Sequence, residues 1–323
     1  MSDVLITENL RGTAVDALSS RFKVAFHPDL WRDPAELLRV IGDCRAIIIR
    51  NQTRVDEPLL KAAKKLEVIG RAGVGLNNVD VAAATRAGIL VTSTPDQNAI
   101  SVAELAIGLI LSLARKISAA DADTKLGGWN RMQFLGIELY GKTLGLVGAG
   151  RTGYLTGRRA QAFGMNVIAY DPYLSKDNIL VSELNGGLTS LDDLLRRSDV
   201  VSCHLPATAD TEGLFNAARF ALMKRGAFFI NTSRGEIVVE DALIAALESG
   251  ALAGAALDVR AIEPPTRGKL ESLPNVILMP HVAAFTNEAQ DRVTRAICED
   301  VTRVLEGKPA INAVNRIQAV NRI

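Results

Sequence analysis

Gly148, Gly150 and Gly153 fall in a G-x-G-x-x-G spacing, and their setting constrains the fold more than any other feature of this chain. Thr143 to Val147 is a short apolar run that reads as a buried strand. Arg151 to Phe163 reads as a helix, and Val167 to Tyr170 as a second strand ending at Asp171. In such a unit the first glycine permits the tight turn out of the strand. Gly150 lets the backbone approach a pyrophosphate, and Gly153 allows close packing of the helix. The helix start at Arg151 and Thr152 offers free N–H groups and the positive end of the dipole. Asp171 follows at about the 20-residue distance where an acidic residue binds ribose hydroxyls. A carboxylate there repels a 2′-phosphate, so NAD is expected over NADP.

The rest of the chain repeats the alternation. Strands are expected at Val4 to Thr7, Lys23 to Phe26, Ala46 to Ile49, Glu67 to Gly70 and Ile89 to Thr92. Helical patterns lie between them at Thr13 to Ser20, Pro34 to Ile41, Glu57 to Lys65 and Val79 to Ala87. A second run begins at Thr143 and adds strands at Val200 to Leu205, Ala227 to Asn231, Ala253 to Leu257 and Val276 to Met279. Repeated βα units imply parallel sheets with helices on both faces. The expected fold class is therefore α/β, with two doubly wound parallel-sheet domains: a Rossmann dinucleotide domain and a flavodoxin-like one. The active site is expected in a cleft between them. The domains are predicted at 1–98 with 287–323, and at 99–286, the last helix (Asn287 to Leu305) returning to the first domain.

Between the two runs, Ser101-x-x-Glu104 has the form of a capping box, predicting a helix from there to about Ile117. Its apolar stretch Leu105 to Ala114 is far short of the ~20 residues that cross a bilayer, so it reads as a helix buried in protein. Ala119 to Tyr140 reads as a less regular arm with a turn at Gly127-Gly128-Trp129. The tail carries AVNRI twice, at Ala313 to Ile317 and Ala319 to Ile323, with no helical or strand period, and reads as disordered or as a sequence artefact without a function.

A net charge of +1 gives no footprint for nucleic acid or an anionic membrane. Three scattered cysteines form neither a disulfide framework nor a metal cluster. Met1 is followed by Ser2 and Asp3 rather than a basic and apolar leader, so a cytoplasmic location is expected.

Ligands in open α/β sheets bind outside the carboxyl ends of the strands. In the second domain those ends deliver Gly148 to Gly153, Asp171, His204-Leu205-Pro206, Thr232-Ser233-Arg234-Gly235, Asp258 with the nearby Glu263, and His281. A guanidinium can grip a substrate carboxylate in a bidentate fork. An imidazole can take a hydroxyl proton while hydride leaves the same carbon, and a carboxylate can orient that imidazole. These are the groups a hydroxy-acid oxidation requires. In the first domain the loop Arg71 to Gly75 offers N–H groups at Gly73, Val74 and Gly75 for a carboxylate. Arg50 and Arg71 are placed for a second anionic group: a phosphate as first choice, a sulfonate as in sulfolactate as the alternative.

INTSRGEIVVEDAL, GAALDVRAIEPP, MPHVAAFT, RAGVGLNNVD, SVAELAIGLIL and GAGRTG together resemble the D-isomer-specific 2-hydroxyacid dehydrogenases. Within that family GGWNRMQFLGIELYGKTLGLVGAGRTG and RAGVGLNNVD look most like the 3-phosphoglycerate dehydrogenases. The resemblance implies that Arg234 binds the substrate carboxylate, Glu263 is the orienting acid and His281 the acid/base. It implies NAD contacts by Arg151 and Thr152 at the pyrophosphate and by Thr232, Ser233 and Asp258 at the nicotinamide side. His204, Pro206 and Thr211 then lie on the adenosine side. It also implies a homodimer, or a tetramer built on it, through the 101–140 region, with Arg131 as a charge lent by the partner. Glyoxylate, hydroxypyruvate and D-lactate remain alternative substrates, and an NADH-sensing corepressor shares the same residues. The chain departs from the pattern near the site at Arg260, where an aromatic is common, and at Ala283-Ala284 after the histidine. No serine-sensing regulatory domain is expected.

Overall fold

A computed structural model of the chain describes residues 2–175 and 177–317. In chain order the first elements are β1 (Val4–Ile6), α1 (Thr13–Ser19), β2 (Val24–Phe26), α2 (Pro34–Val40) and β3 (Ala46–Ile49). They continue with α3 (Glu57–Ala62), β4 (Val68–Arg71), α4 (Val81–Arg86) and β5 (Leu90–Thr92). Next come α5 (Ala99–Arg115), α6 (Ile117–Lys125), β6 (Thr143–Val147), α7 (Arg151–Ala162), β7 (Asn166–Tyr170) and α8 (Ile179–Ser182). The chain closes with α9 (Leu191–Arg197), β8 (Val200–Cys203), α10 (Ala217–Leu222), β9 (Ala227–Asn231), α11 (Glu240–Glu248), β10 (Leu252–Leu257), β11 (Val276–Leu278) and α12 (Asn287–Leu305). Contacts divide it into two units, one running to Asn98 and resuming at Thr286, the other Ala99–Phe285. Thr286 goes with the first unit rather than the second, because its hydroxyl accepts the Ala289 N–H and caps α12.

The first unit is a five-stranded sheet in the order β2-β1-β3-β4-β5, every pair parallel. This is the flavodoxin-like order, with its switch point between β1 and β3. β1 and β3 are buried along their whole length, as strands covered on both faces must be. One face packs Ile47, Ile49 and Ile69 under α2 and α3. The other packs Val4, Ile6 and Val68 against Val293, Ile297 and Val301 of α12. Aspartates start three of its helices: Asp33, Asp56 and Asp80 accept N–H groups two or three residues into α2, α3 and α4. The Asp80 cap is why α4 begins at Val81 and not at Val79.

The first AVNRI copy is not disordered, contrary to the sequence expectation. Asp300, fully buried on α12, accepts the N–H groups of Ile311 (2.6 Å) and Asn312 (3.1 Å). Ala313 then bridges Thr92 in antiparallel sense, and Val314 donates to the Val91 carbonyl at 2.8 Å. The Asn315 side chain accepts from the Val91 N–H and donates to Thr85 and to the Ile89 carbonyl. These partners lie far away in sequence, so no local period reports them. The second copy, at 319–323, lies outside the described residues.

The second unit is a six-stranded parallel sheet, β11-β10-β9-β8-β6-β7. Beyond β7, Leu188 forms a single parallel bridge to Ala169, held by bonds from Ala169 N–H to Gly187 and from Thr189 N–H to Ala169. Counting that bridge as a vestigial strand, the first six positions follow the Rossmann order 3-2-1-4-5-6. α5 is buried against α7, β9 and β10, which explains its nearly unbroken apolar composition. It begins at Ala99, so Ser101 sits inside the helix, buried, and is not the cap that the capping-box pattern predicted; Glu104 instead pairs with Arg159 at 3.1 Å. The arm is also more regular than expected, since 117–125 is helical and Arg131–Phe134 forms a 3-10 turn. Among the described residues no helix is long and apolar enough to cross a membrane.

Candidate active site

The glycine turn leaves β6 at Gly148, whose φ of 97° belongs to the left-handed region. A Cβ there would also lie 2.9 Å from the His204 carbonyl carbon, so the ends of β6 and β8 meet at this point. Gly153 faces back onto the turn, where a Cβ would stand 2.1 Å from the Gly148 oxygen. At Gly150 a Cβ would meet none of the described residues within 4 Å. Open space therefore lies over the start of α7, where the first-turn N–H groups of Arg151, Thr152 and Gly153 precede the first intrahelical bond, Tyr154 N–H to Gly150. An anion's oxygens fit such a nest.

Asp171 lies at the end of β7 and its carboxylate spans the turn. One oxygen accepts the Ala149 N–H at 3.0 Å, the other the Tyr173 N–H at 3.0 Å. His204 is held by Ser202 Oγ at 3.0 Å from Nε2, while its buried Nδ1 has no hydrogen-bond partner among the described residues. Burial holds its pKa down at about 4, so the ring is neutral. Thr232 Oγ1 is a second buried polar atom left without a partner among them. Thr211 Oγ1 donates to the Pro206 carbonyl at 2.7 Å and shapes the loop after β8. Two orphaned polar atoms, an open helix start and an acidic strand end fit a dinucleotide.

Arg234 follows β9 on a turn built by Asn231, a residue the sequence reading did not single out. Asn231 Oδ1 accepts both the N–H and the hydroxyl of Ser233, and its amide donates to the Arg234 carbonyl at 2.8 Å. Ser233 is thus committed to the turn. Its carbonyl accepts from the Arg234 guanidinium at 2.7 Å.

Asp258 follows β10 and organises the next piece. Its carbonyl accepts the His281 N–H at 2.8 Å, and its buried carboxylate accepts the N–H groups of Val282 (2.8 Å) and Ala283 (2.9 Å). Burial raises the Asp258 pKa, and the two N–H groups oppose the rise. These three bonds hold His281 at a φ of 55°, a conformation that costs a non-glycine residue energy and needs such support. His281 Nδ1 then lies 2.6 Å from Glu263 Oε2. The carboxylate accepts, so Nδ1 carries the hydrogen and Nε2 presents its lone pair. Glu263 Oε1 accepts the Arg260 N–H at 2.9 Å. Burial alone would raise the Glu263 pKa, but the imidazole, that N–H and the Arg234 charge together pull it down.

Residues 107–283 match the profile described as "D-isomer specific 2-hydroxyacid dehydrogenase, NAD binding domain". The chain belongs to the D-isomer specific 2-hydroxyacid dehydrogenases. It is similar to a D-3-phosphoglycerate dehydrogenase of Archaeoglobus fulgidus, 44% identical over 97% of this chain. The chain spans 59% of that relative's length. Among solved structures it resembles the TT0316 protein of Thermus thermophilus, with a TM-score of 0.90 and 38% identity over 97% of this chain and 99% of that one. It also resembles a D-lactate dehydrogenase of Aquifex aeolicus complexed with NAD and lactic acid, with a TM-score of 0.86 and 28% identity over 98% and 99% of the two chains. The matched residues lie within the second unit, which is therefore the NAD binding domain.

The first unit carries the remaining site residues expected from the sequence. Arg50 follows β3 in a loop pinned by Glu8, whose buried carboxylate accepts the N–H groups of Arg50, Gln52 and Thr53. Asn78 closes the loop by donating to the Arg50 and Thr53 carbonyls. Neither Glu8 nor Asn78 stood out in the sequence. Burial lowers the Arg50 pKa, with Glu8 opposing. Arg71 ends β4, and one guanidinium nitrogen donates to the Ala72 carbonyl at 3.3 Å. Gly73, Val74 and Gly75 follow it. The Gly73 N–H donates to the Arg71 carbonyl at 2.9 Å, so contrary to the sequence expectation it is already taken and does not serve a carboxylate. The Gly73 carbonyl accepts from the Thr94 N–H.

Proposed function

We propose that this chain oxidises the C2 hydroxyl of a D-2-hydroxy acid with NAD, and that the acid is 3-phosphoglycerate, converted to 3-phosphohydroxypyruvate as in serine biosynthesis. The observation that carries the reading is the 2.6 Å pair of His281 Nδ1 and Glu263, in the same unit as the glycine turn and Arg234. His281 Nε2 takes the hydroxyl proton, and Glu263 keeps the ring oriented as it becomes cationic. Arg234 binds the carboxylate beside the reacting carbon. Bound NAD supplies the acceptor for the hydride that leaves C2. Arg151, Thr152 and Gly153 would hold its pyrophosphate, Asp171 its ribose, and Thr232 the nicotinamide side. In this reading Arg50 and Arg71 carry the preference for a phosphorylated acid, and the Val74 and Gly75 N–H groups serve the carboxylate. Support for the phosphate comes from those cations and from the similarity to D-3-phosphoglycerate dehydrogenases.

The arm supports a homodimer. Leu126, Trp129, Met132 and Leu135 are large apolar side chains left exposed, Trp129 by 81%. Apolar patches of this kind mark contact surfaces. A cytoplasmic setting belongs to the same reading, and the three buried free thiols are compatible with it.

A spectrophotometric screen of 2-hydroxy and 2-keto acids with NAD(H) and NADP(H) tests the proposal. We expect NAD-dependent turnover, fastest with 3-phosphoglycerate and 3-phosphohydroxypyruvate. Preference for D-lactate, glyoxylate or sulfolactate would overturn the substrate. NADH binding without turnover of any acid would overturn the enzyme and favour a sensor.

A further inference from the structure

Glu263 sits on a stretch that has little else to hold it. From Ala261 to Lys269 every residue is exposed, and the next buried side chain is Leu270. No apolar packing in that stretch fixes where the carboxylate points. What holds the stretch is polar, and it converges on Arg260.

The Arg260 side chain is only 10% exposed and is gripped from two sides. Its Nε and Nη2 donate to the two oxygens of Glu240 at 3.0 Å each, a bidentate fork from the first residue of α11. Its Nη1 donates to Glu271 Oε1 at 2.5 Å, at the far end of the same loop. The two acids also take backbone groups of the loop, Glu240 the Ala261 N–H and Glu271 the Gly268 N–H. Both acids have lowered pKa values, first through the hydrogen bond to the guanidinium, and Glu271 reaches about 2. The loop is thus closed into a ring by one cation and two anions. The Arg260 backbone faces the chemistry: its N–H is the donor to Glu263 Oε1. Its carbonyl lies against the Arg234 turn, where a Cβ on Gly235 would be 2.0 Å from the Arg260 oxygen.

We propose that Arg260 is a positioning residue, whose fork to Glu240 and bond to Glu271 fix the loop so that Glu263 meets His281. The effect on turnover rests on the acid–base reading of that pair; the geometric effect does not. A permanently charged planar fork suits this task, because it sets distance and orientation at once. A lysine keeps the charge and loses the fork.

The test compares Arg260→Met, Arg260→Lys and Glu240→Gln with Glu263→Gln. The first readout needs no substrate: the NMR titration of the His281 ring in the full chain. The chain has three histidines, so His281→Ala identifies the signal. Arg260→Met is expected to displace that titration in the same direction as Glu263→Gln, with Arg260→Lys in between. The second readout is turnover, expected to fall by roughly 10²-fold in kcat for Arg260→Met, with KM changing far less. Should Arg260→Met not fold, Glu240→Gln removes one arm of the fork and is expected to give a smaller displacement of the same sign. A folded Arg260→Met whose His281 titration matches the wild type overturns the inference. If the wild type oxidises no acid at all, the functional reading falls while the titration still decides this one.

Discussion

Gly235 and Arg260 are in backbone contact: a Cβ on the glycine would lie 1.9 Å from the carbonyl carbon of the arginine. The neighbour is main chain and cannot swing away as a flexible side chain would. The turn that carries Arg234 and the loop that carries Glu263 are therefore mutually fixed. Gly235→Ala is expected to push them apart, at a cost of about 1–3 kcal/mol in stability for overpacking. Turnover should fall more than stability predicts. Urea unfolding and steady-state kinetics on the same preparation check this. A variant with wild-type activity would show the contact to be soft.

His281→Ala should reduce turnover by roughly 10²–10⁴-fold, the range for a lost general acid–base group. Glu263→Gln keeps the shape of the pair and should cost less. Unchanged turnover in the alanine variant would remove His281 from the mechanism.

Asp171→Ala removes the acceptor for the Ala149 and Tyr173 N–H groups as well as the expected ribose contact. We expect weaker NAD binding and a smaller preference for NAD over NADP, both measurable by titration of cofactor fluorescence. Identical preference would show that the carboxylate serves the turn alone.

Glu271 gives a pH-dependent signature. Its pKa falls from 4.5 to about 2 through Arg260 and the Gly268 N–H. A carboxylate with a depressed folded-state pKa stabilises the fold above its unfolded value and loses that contribution as pH falls through the folded one. Wild type should therefore melt above Glu271→Gln at neutral pH. The difference should shrink as pH drops from 4.5 towards about 2. A difference that grows on acidification would contradict the assignment.

Asn315→Ala should destabilise the first unit by about 1–3 kcal/mol, because it strands the Val91 N–H and the Ile89 carbonyl in a buried site. Hydrogen exchange at Val91 would show the loss locally.

The strand ends that supply Gly148, Asp171, His204, Arg234, Asp258 and His281 were legible in the sequence, because each closes an apolar run that reports itself over a few residues. The elements that escaped depend on distant partners. Ser101-x-x-Glu104 has the form of a cap, yet packing carries α5 back to Ala99. Leu188 is one bridge wide, too short for any period. Glu240 and Glu271 matter only through Arg260, which folding brings to them, and an isolated Glu in a sequence is most often a surface group. Asn231 escaped for another reason, since its partners Ser233 and Arg234 are neighbours but an Asn after an apolar run does not by itself report a turn. Arg260 was visible as a departure, but its purpose needed both acids in place.

The division of the first unit into two pieces has a consequence for biosynthesis. Its sheet is complete by Thr92, yet the face that α1 covers with Leu18 stays only partly covered until α12 emerges from the ribosome, and the edge of β5 waits for residues 313–315 to cover it. The second unit has all its strands by Leu278. During translation the later-made half is therefore able to mature first, and the earlier-made half must wait for its missing helix.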